Sequence, residues 1–69
     1  MKLSARNQLK GKVTGIKEGA VNAVVTIDIG GGNQITSIVT MDSVKALGLN
    51  VGSVAYAVIK ASSVMIAVD

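Results

Sequence analysis

The segment VNAVVTIDIGGGNQITSIVTM, Val21 to Met41, reads as two β-strands joined by a tight turn. Between Val21 and Ile29 every odd position is apolar (Val21, Ala23, Val25, Ile27 and Ile29), while the even ones are Asn22, Val24, Thr26 and Asp28. A period of two is the signature of a strand with one buried face. Gly30-Gly31-Gly32 and Asn33 supply the positive φ angles of a tight connection, and Ile35 to Met41 resumes a β-rich pattern, so the segment predicts a hairpin. A phosphate-cradling glycine loop would need a helix and a Lys-Ser/Thr pair directly behind the glycines, and neither follows.

Upstream, Leu9 to Ile16 forms a strand with Lys10, Lys12 and Thr14 on one face; Gly11 and Gly15 mark bulges or barrel bends, and Glu18-Gly19 is the next turn. Downstream, Asp42 can cap a short helix in which Val44 and Leu47 face inward, with Gly48 as its left-handed stop. Asn50 and Gly52 turn the chain into a strand over Val54 to Ile59, and Val64 to Val68 reads as a last strand after Ser62-Ser63. These last two are apolar on both faces, as for strands covered by a barrel interior on one side and another subunit on the other. Five short strands with a small helix between the third and fourth predict an all-β, OB-type, five-stranded Greek-key barrel. Residues 1–69 form a single domain with no internal repeat, low-complexity segment or linker.

Composition narrows the function. Val and Ile number eighteen against four Leu, and proline is absent, which favours strands over long helices. Cysteine and histidine are also absent, excluding disulfides, thiolate chemistry, the usual zinc sites and imidazole catalysis. A chain of 69 residues that is 49% hydrophobic and 16% charged carries more apolar surface than one small core can hide, which predicts self-association. The net charge of +3 favours an anionic partner without naming one. Tyr56 is the sole aromatic ring, too few for a surface that stacks successive bases, so nucleic acid is not the expected partner. With no signal-type apolar core and no run of 18 apolar residues, a soluble cytoplasmic protein without a membrane span is expected.

The four carboxylates, Glu18, Asp28, Asp42 and Asp69, form no dyad by spacing, and no serine has a base partner of the Ser-His type. An enzyme is therefore not expected. Hydrogen-bond donors are better represented. Ser4-Ala5-Arg6-Asn7-Gln8 sets a hydroxyl, a guanidinium and two amides next to the first strand, although a solvated N-terminal arm has the same composition. Thr40 and Ser43 flank the helix start, where ordinary capping competes with anion binding. Lys60 interrupts the apolar run Val54 to Val64; a buried or interface lysine there needs an anionic partner, whereas an edge-strand lysine would discourage aggregation.

Three stretches, SARNQLKG (Ser4 to Gly11), TSIVTMDSVKALGL (Thr36 to Leu49) and VIKASSVMIAV (Val58 to Val68), resemble the molbindin, or Mop, domain family over essentially the whole chain. Mop domains also occur within molybdate-responsive regulators and transport ATPases, but nothing here is left over for such parts. The resemblance thus implies a free-standing molbindin: an OB-fold protomer in a homohexamer, a trimer of dimers, holding molybdate or tungstate between subunits for intracellular storage or homeostasis, with no redox cofactor. It further implies side-chain contacts from Ser4, Arg6, Thr40, Ser43 and Lys60 and backbone N–H groups from Ala5 and Ala61. Ser4 and Arg6 would come from one chain and Thr40, Ser43 and Lys60 from its neighbour. The donor chemistry agrees, because an unprotonated tetrahedral dianion takes only donors, and hydroxyls, cations and amides all donate. A molybdopterin cofactor, a nucleic acid or a purely structural oligomer are the alternatives.

Overall fold

The computed structural model describes residues 1–69. Four strands, β1 (Asn7–Glu18), β2 (Asn22–Gly30), β3 (Asn33–Thr40) and β4 (Val54–Ile59), form one antiparallel sheet in the order β3-β2-β1-β4. A single helix, α1 (Met41–Ala46), joins β3 to β4, and a 3-10 turn over Ala61–Ser63 follows β4. The all-β architecture and the helix between the third and fourth strands are as the sequence predicts.

The sheet curls because β1 serves two partners in succession. Its first half pairs with β4, from Asn7↔Ile59 to Lys12↔Val54, and its second half with β2, from Lys12↔Asp28 to Glu18↔Ala23. A register shift between Val13 and Gly15 marks a bulge at the changeover, which increases local twist. There Val13 donates to Ser53 O and accepts from Gly52 N, so the loop before β4 takes up the backbone groups freed by the bulge. Gly11 has a different role from Gly15. A Cβ on Gly11 would collide with the Asp28 carbonyl and lie 2.8 Å from Ile27 Cγ2, whereas one on Gly15 would meet nothing within 4 Å. Gly11→Ala is expected to cost about 1–3 kcal/mol of unfolding free energy. Gly15→Ala should stay within about 0.5 kcal/mol. Urea unfolding of the two variants checks the contrast.

The β2–β3 hairpin turns through three positive-φ glycines, Gly30, Gly31 and Gly32, and Gly30 N donates to Asp28 Oδ1 at 2.8 Å. Ala23, Val25 and Ile27 are buried, as the alternation requires; Val21 instead lies in the β1–β2 turn and is exposed. With Val13, Val44 and Ala57 they make the core, flanked by half-buried side chains including Leu9, Ile35 and Leu49.

Three sequence expectations are corrected. The helix cap is Thr40 and not Asp42: Thr40 Oγ1 accepts from Ser43 N at 3.0 Å, and Asp42 falls in the first turn. Leu47 does not face inward. It is the C-cap and 69% exposed, while Gly48 (φ 62°) reverses the chain so that Leu49 is the residue brought against the core. The bonds Leu49 N to Val44 O (3.0 Å) and Gly48 N to Lys45 O (3.1 Å) are those of a Schellman stop. Finally, Val64 to Val68 is not a strand within this chain. It has no ladder partner, and after the 3-10 turn at Ala61–Ser63 its side chains lie exposed.

Candidate functional site

The seven donor residues fall into two groups. Ser4, Ala5 and Arg6 run directly into β1, and Lys60 and Ala61 directly follow β4. Because Asn7 is opposite Ile59 in the ladder, Arg6 and Lys60 stand one residue beyond its last pair, in the same chain. Asn7 ties this end together, donating from Nδ2 to Ile59 O at 3.2 Å, and Gln8 Nε2 donates to Ala5 O at 3.2 Å. Both are positioning residues that the sequence marked as donors without assigning them a role. Their signal was the SARNQ string; the partner of Asn7 depends on register, while that of Gln8 lies three residues away in the same string. Lys60 is exposed in the single chain, and its carbonyl accepts from Ser63 N at 2.9 Å to close the 3-10 turn. Two cations brought together at this end would repel one another, and an anion between them would relieve that repulsion.

Thr40 and Ser43 form the second group, at the junction of β3 and α1. Met41 N donates to Val21 O at 2.7 Å, fixing this junction on the β1–β2 turn. Thr40 Oγ1 donates to Ser43 Oγ at 2.8 Å while accepting from Ser43 N. Thr40 has thus spent its proton, and the Ser43 hydroxyl keeps its own for an outside acceptor. Asp42 already occupies the start of this six-residue helix, so the Ser43 hydroxyl, rather than the helix field, is what an anion would use here.

The chain does not bring the two groups together. Thr40 is paired with Asn22 beside the far end of β1, where Glu18 pairs with Ala23, whereas Arg6 and Lys60 lie at its near end. The twelve residues of β1 separate them, and none of the three surface cavities is lined by any of the seven. Within the single chain Lys60 thus stands at the end of β1 that carries Ser4 and Arg6, away from Thr40 and Ser43.

The TOBE-domain family matches residues 3–66. Over 69 residues the chain is 62% identical to the probable molybdenum-pterin-binding protein of Haemophilus influenzae, covering 100% of both. It belongs to the molbindin family. Among solved structures, apo MopII from Clostridium pasteurianum superposes with a TM-score of 0.91 at 54% identity, covering 97% of this chain and 100% of that one. ModG, a cytoplasmic molybdate-binding protein solved with molybdate bound, superposes with a TM-score of 0.85 at 56% identity, covering 88% of this chain and 43% of that one. These molbindin relatives are binding proteins. As for the membrane, no helix here is long and apolar enough to cross one.

Proposed function

We propose that this molbindin binds molybdate or tungstate at sites shared between the subunits of a cytoplasmic homo-oligomer, a hexamer built as a trimer of dimers, and serves intracellular molybdenum storage or homeostasis without catalysis or a redox cofactor. The observation that carries this reading is the division of the donor set. Ser4, Arg6, Lys60 and the amides of Ala5 and Ala61 stand at one end of β1, and Thr40 and Ser43 at the other. Each group is incomplete alone, and a two-fold related chain would complete both at once. Arg6 and Lys60 match the two charges of the anion, and the hydroxyls and amides match its oxygens. That relatives are named for molybdate and for molybdenum-pterin binding supports the ligand class.

A second reading, a pterin cofactor, draws on Tyr56, which is 47% exposed and directly opposite Lys10 across the β1–β4 ladder. One ring beside one cation suits a phosphorylated heterocycle less well than two stacking faces would.

Thermal unfolding with molybdate, tungstate, sulfate, phosphate, a pterin and an oligonucleotide side by side separates these readings. At a hundred times its dissociation constant, a ligand stabilises the folded state by about 2.7 kcal/mol. In a domain this small that raises the midpoint by roughly 10–20 °C. Molybdate and tungstate are expected to do so. Phosphate keeps a proton near neutral pH that a donor-only site cannot accept, so it should shift the midpoint far less. A phosphate shift equal to that of molybdate would contradict the donor-only site, and a shift with the pterin alone would favour the second reading.

A further inference from the structure

Charge is distributed unevenly over the sheet. Along β1, Gln8, Lys10 and Lys12 are exposed while Leu9, Gly11 and Val13 turn inward, and Arg6 and Lys60 continue the exposed row past the Asn7–Ile59 pair. Four of the seven basic side chains thus stand on one face of the β1–β4 ladder. The carboxylates lie elsewhere: Glu18 ends the opposite half of β1, Asp42 is on α1 and Asp69 closes the tail. Only Asp28 reaches this face, opposite Lys12, and it is already engaged as an acceptor for Gly30 N at 2.8 Å. Lys10 has no carboxylate across from it. Its partner on β4 is Tyr56, and on its other side the pairing of β2 with β1 has stopped at Asp28 and Lys12. Lys10 and Lys12 line one shallow cavity of about 340 Å³ with Asp28, Gly30 and Val54.

We infer that Lys10 and Lys12 form a capture surface for inorganic oxyanions, drawing the dianion onto the outer face of β1 and speeding its arrival at Arg6 and Lys60 without being ligands in the final site. The inference rests on the proposed oxyanion site and adds how that site is filled.

Distance separates the two roles. At about 3.3 Å per residue, Lys10 stands roughly 13 Å and Lys12 roughly 20 Å along the strand from Arg6. Neither can hydrogen-bond an anion held at Arg6, yet both lie within the Debye length of about 30 Å at 0.01 M salt. The apolar side chains of Val54, Tyr56 and Val58 run beside the cations on β4 and are themselves exposed. Low-dielectric surface next to a row of like charges focuses their field toward the solvent. A dianion feels that field twice as strongly as chloride does, so the face favours fully ionised oxyanions at the encounter. Charges this far from the site act alike on the arriving and the bound anion. The association rate therefore carries their effect, and the release rate does not.

The test compares the full-length wild type with Lys10→Glu/Lys12→Glu and Lys10→Arg/Lys12→Arg. Release is followed by chasing bound radiolabelled molybdate with excess unlabelled molybdate. Equilibrium dialysis gives the dissociation constant, and the two together give the association rate. Coulomb's law in water with screening predicts that charge reversal slows association roughly 5- to 10-fold at 0.01 M salt and less than about 2-fold at 0.5 M. Release should stay within about 2-fold of wild type, and the arginine pair should behave as the wild type does, because steering needs only the charge. Lys10→Gln/Lys12→Gln, which removes the charges without reversing them, should slow association roughly 3-fold in low salt and serves if the glutamate pair is misfolded by circular dichroism. Wild-type association by a folded variant in low salt would overturn the capture surface. So would a defect of equal size at both salt concentrations, or one that appears in the release rate, since either marks a ligand or a structural lesion. A wild-type protein that binds no molybdate would overturn the oxyanion site and the capture surface together, whereas unaltered association with binding intact overturns the capture surface alone.

Discussion

Arg6→Ala and Lys60→Ala are each expected to abolish tight molybdate binding. Both side chains stand one residue beyond the Asn7–Ile59 pair, so an anion seated there meets both cations at once. Losing one leaves the dianion half neutralised and removes charge-assisted hydrogen bonds. Truncating one member of a charge pair that assembly and the anion desolvate costs about 2–5 kcal/mol, or roughly 30- to 4,000-fold in affinity. Arg6→Lys should recover only part of this, because the guanidinium fork is lost while the charge is kept. Lys17→Ala, an exposed change elsewhere on β1, should bind as the wild type does. Calorimetric titration with molybdate reads all four variants. Unchanged affinity in either alanine variant would remove that residue from the site.

The second large effect is a dependence of folding on protein concentration. Only six residues, Val13, Ala23, Val25, Ile27, Val44 and Ala57, are buried in one chain, while Ile38, Val54, Tyr56, Val58 and the tail lie open to solvent. A domain of this size is marginal even with a full core. Assembly therefore supplies much of the stability, and the unfolding midpoint must move with concentration. Thousand-fold dilution costs a dimer about 4 kcal/mol, or about 2 per chain. At about 4–8 °C per kcal/mol the midpoint should fall by roughly 10 °C. Sedimentation of the dilute sample should show no folded monomer. A midpoint independent of concentration would contradict assembly-dependent stability.

What could be read from the sequence was what is determined locally. The β2–β3 hairpin follows from alternation and glycines within twenty residues, and Gly48 announces the end of α1 by itself. The cap was displaced by two residues because Thr40 and Asp42 are both good caps, and only the fold of the β3–α1 junction assigns the Ser43 amide to Thr40. Leu47 and Leu49 exchanged roles for a related reason: a Schellman stop turns the chain after the cap, which helical spacing does not foresee. The strand character of Val64 to Val68 was legible; that it finds no partner in its own sheet was not, since pairing depends on where the preceding turn aims it.

The site divided in the same way. Its donors stand out in the SARNQ, TMDS and IKA strings, and the resemblance divided them between two chains. Which of them share a protomer's end depends on ladder register over more than fifty residues, and register brought Lys60 to Arg6.

That pairing makes the central claim, a site completed by two chains, directly measurable by mixing defective variants. Arg6→Ala disables one half-site, and Thr40→Asp disables the other, placing a negative charge against the anion while keeping a residue able to cap α1. Co-refolding the two at equal amounts makes half of the dimers mixed, and in each mixed dimer one site carries both defects and the other carries none. Equilibrium dialysis should then recover about a quarter of wild-type molybdate binding from two inactive proteins. Arg6→Ala co-refolded with Lys60→Ala should recover none, since their lesions lie in the same half-site. Recovery from the second mixture would place Arg6 and Lys60 in different halves, and no recovery from the first, in demonstrably mixed oligomers, would mean that the site is not shared between chains.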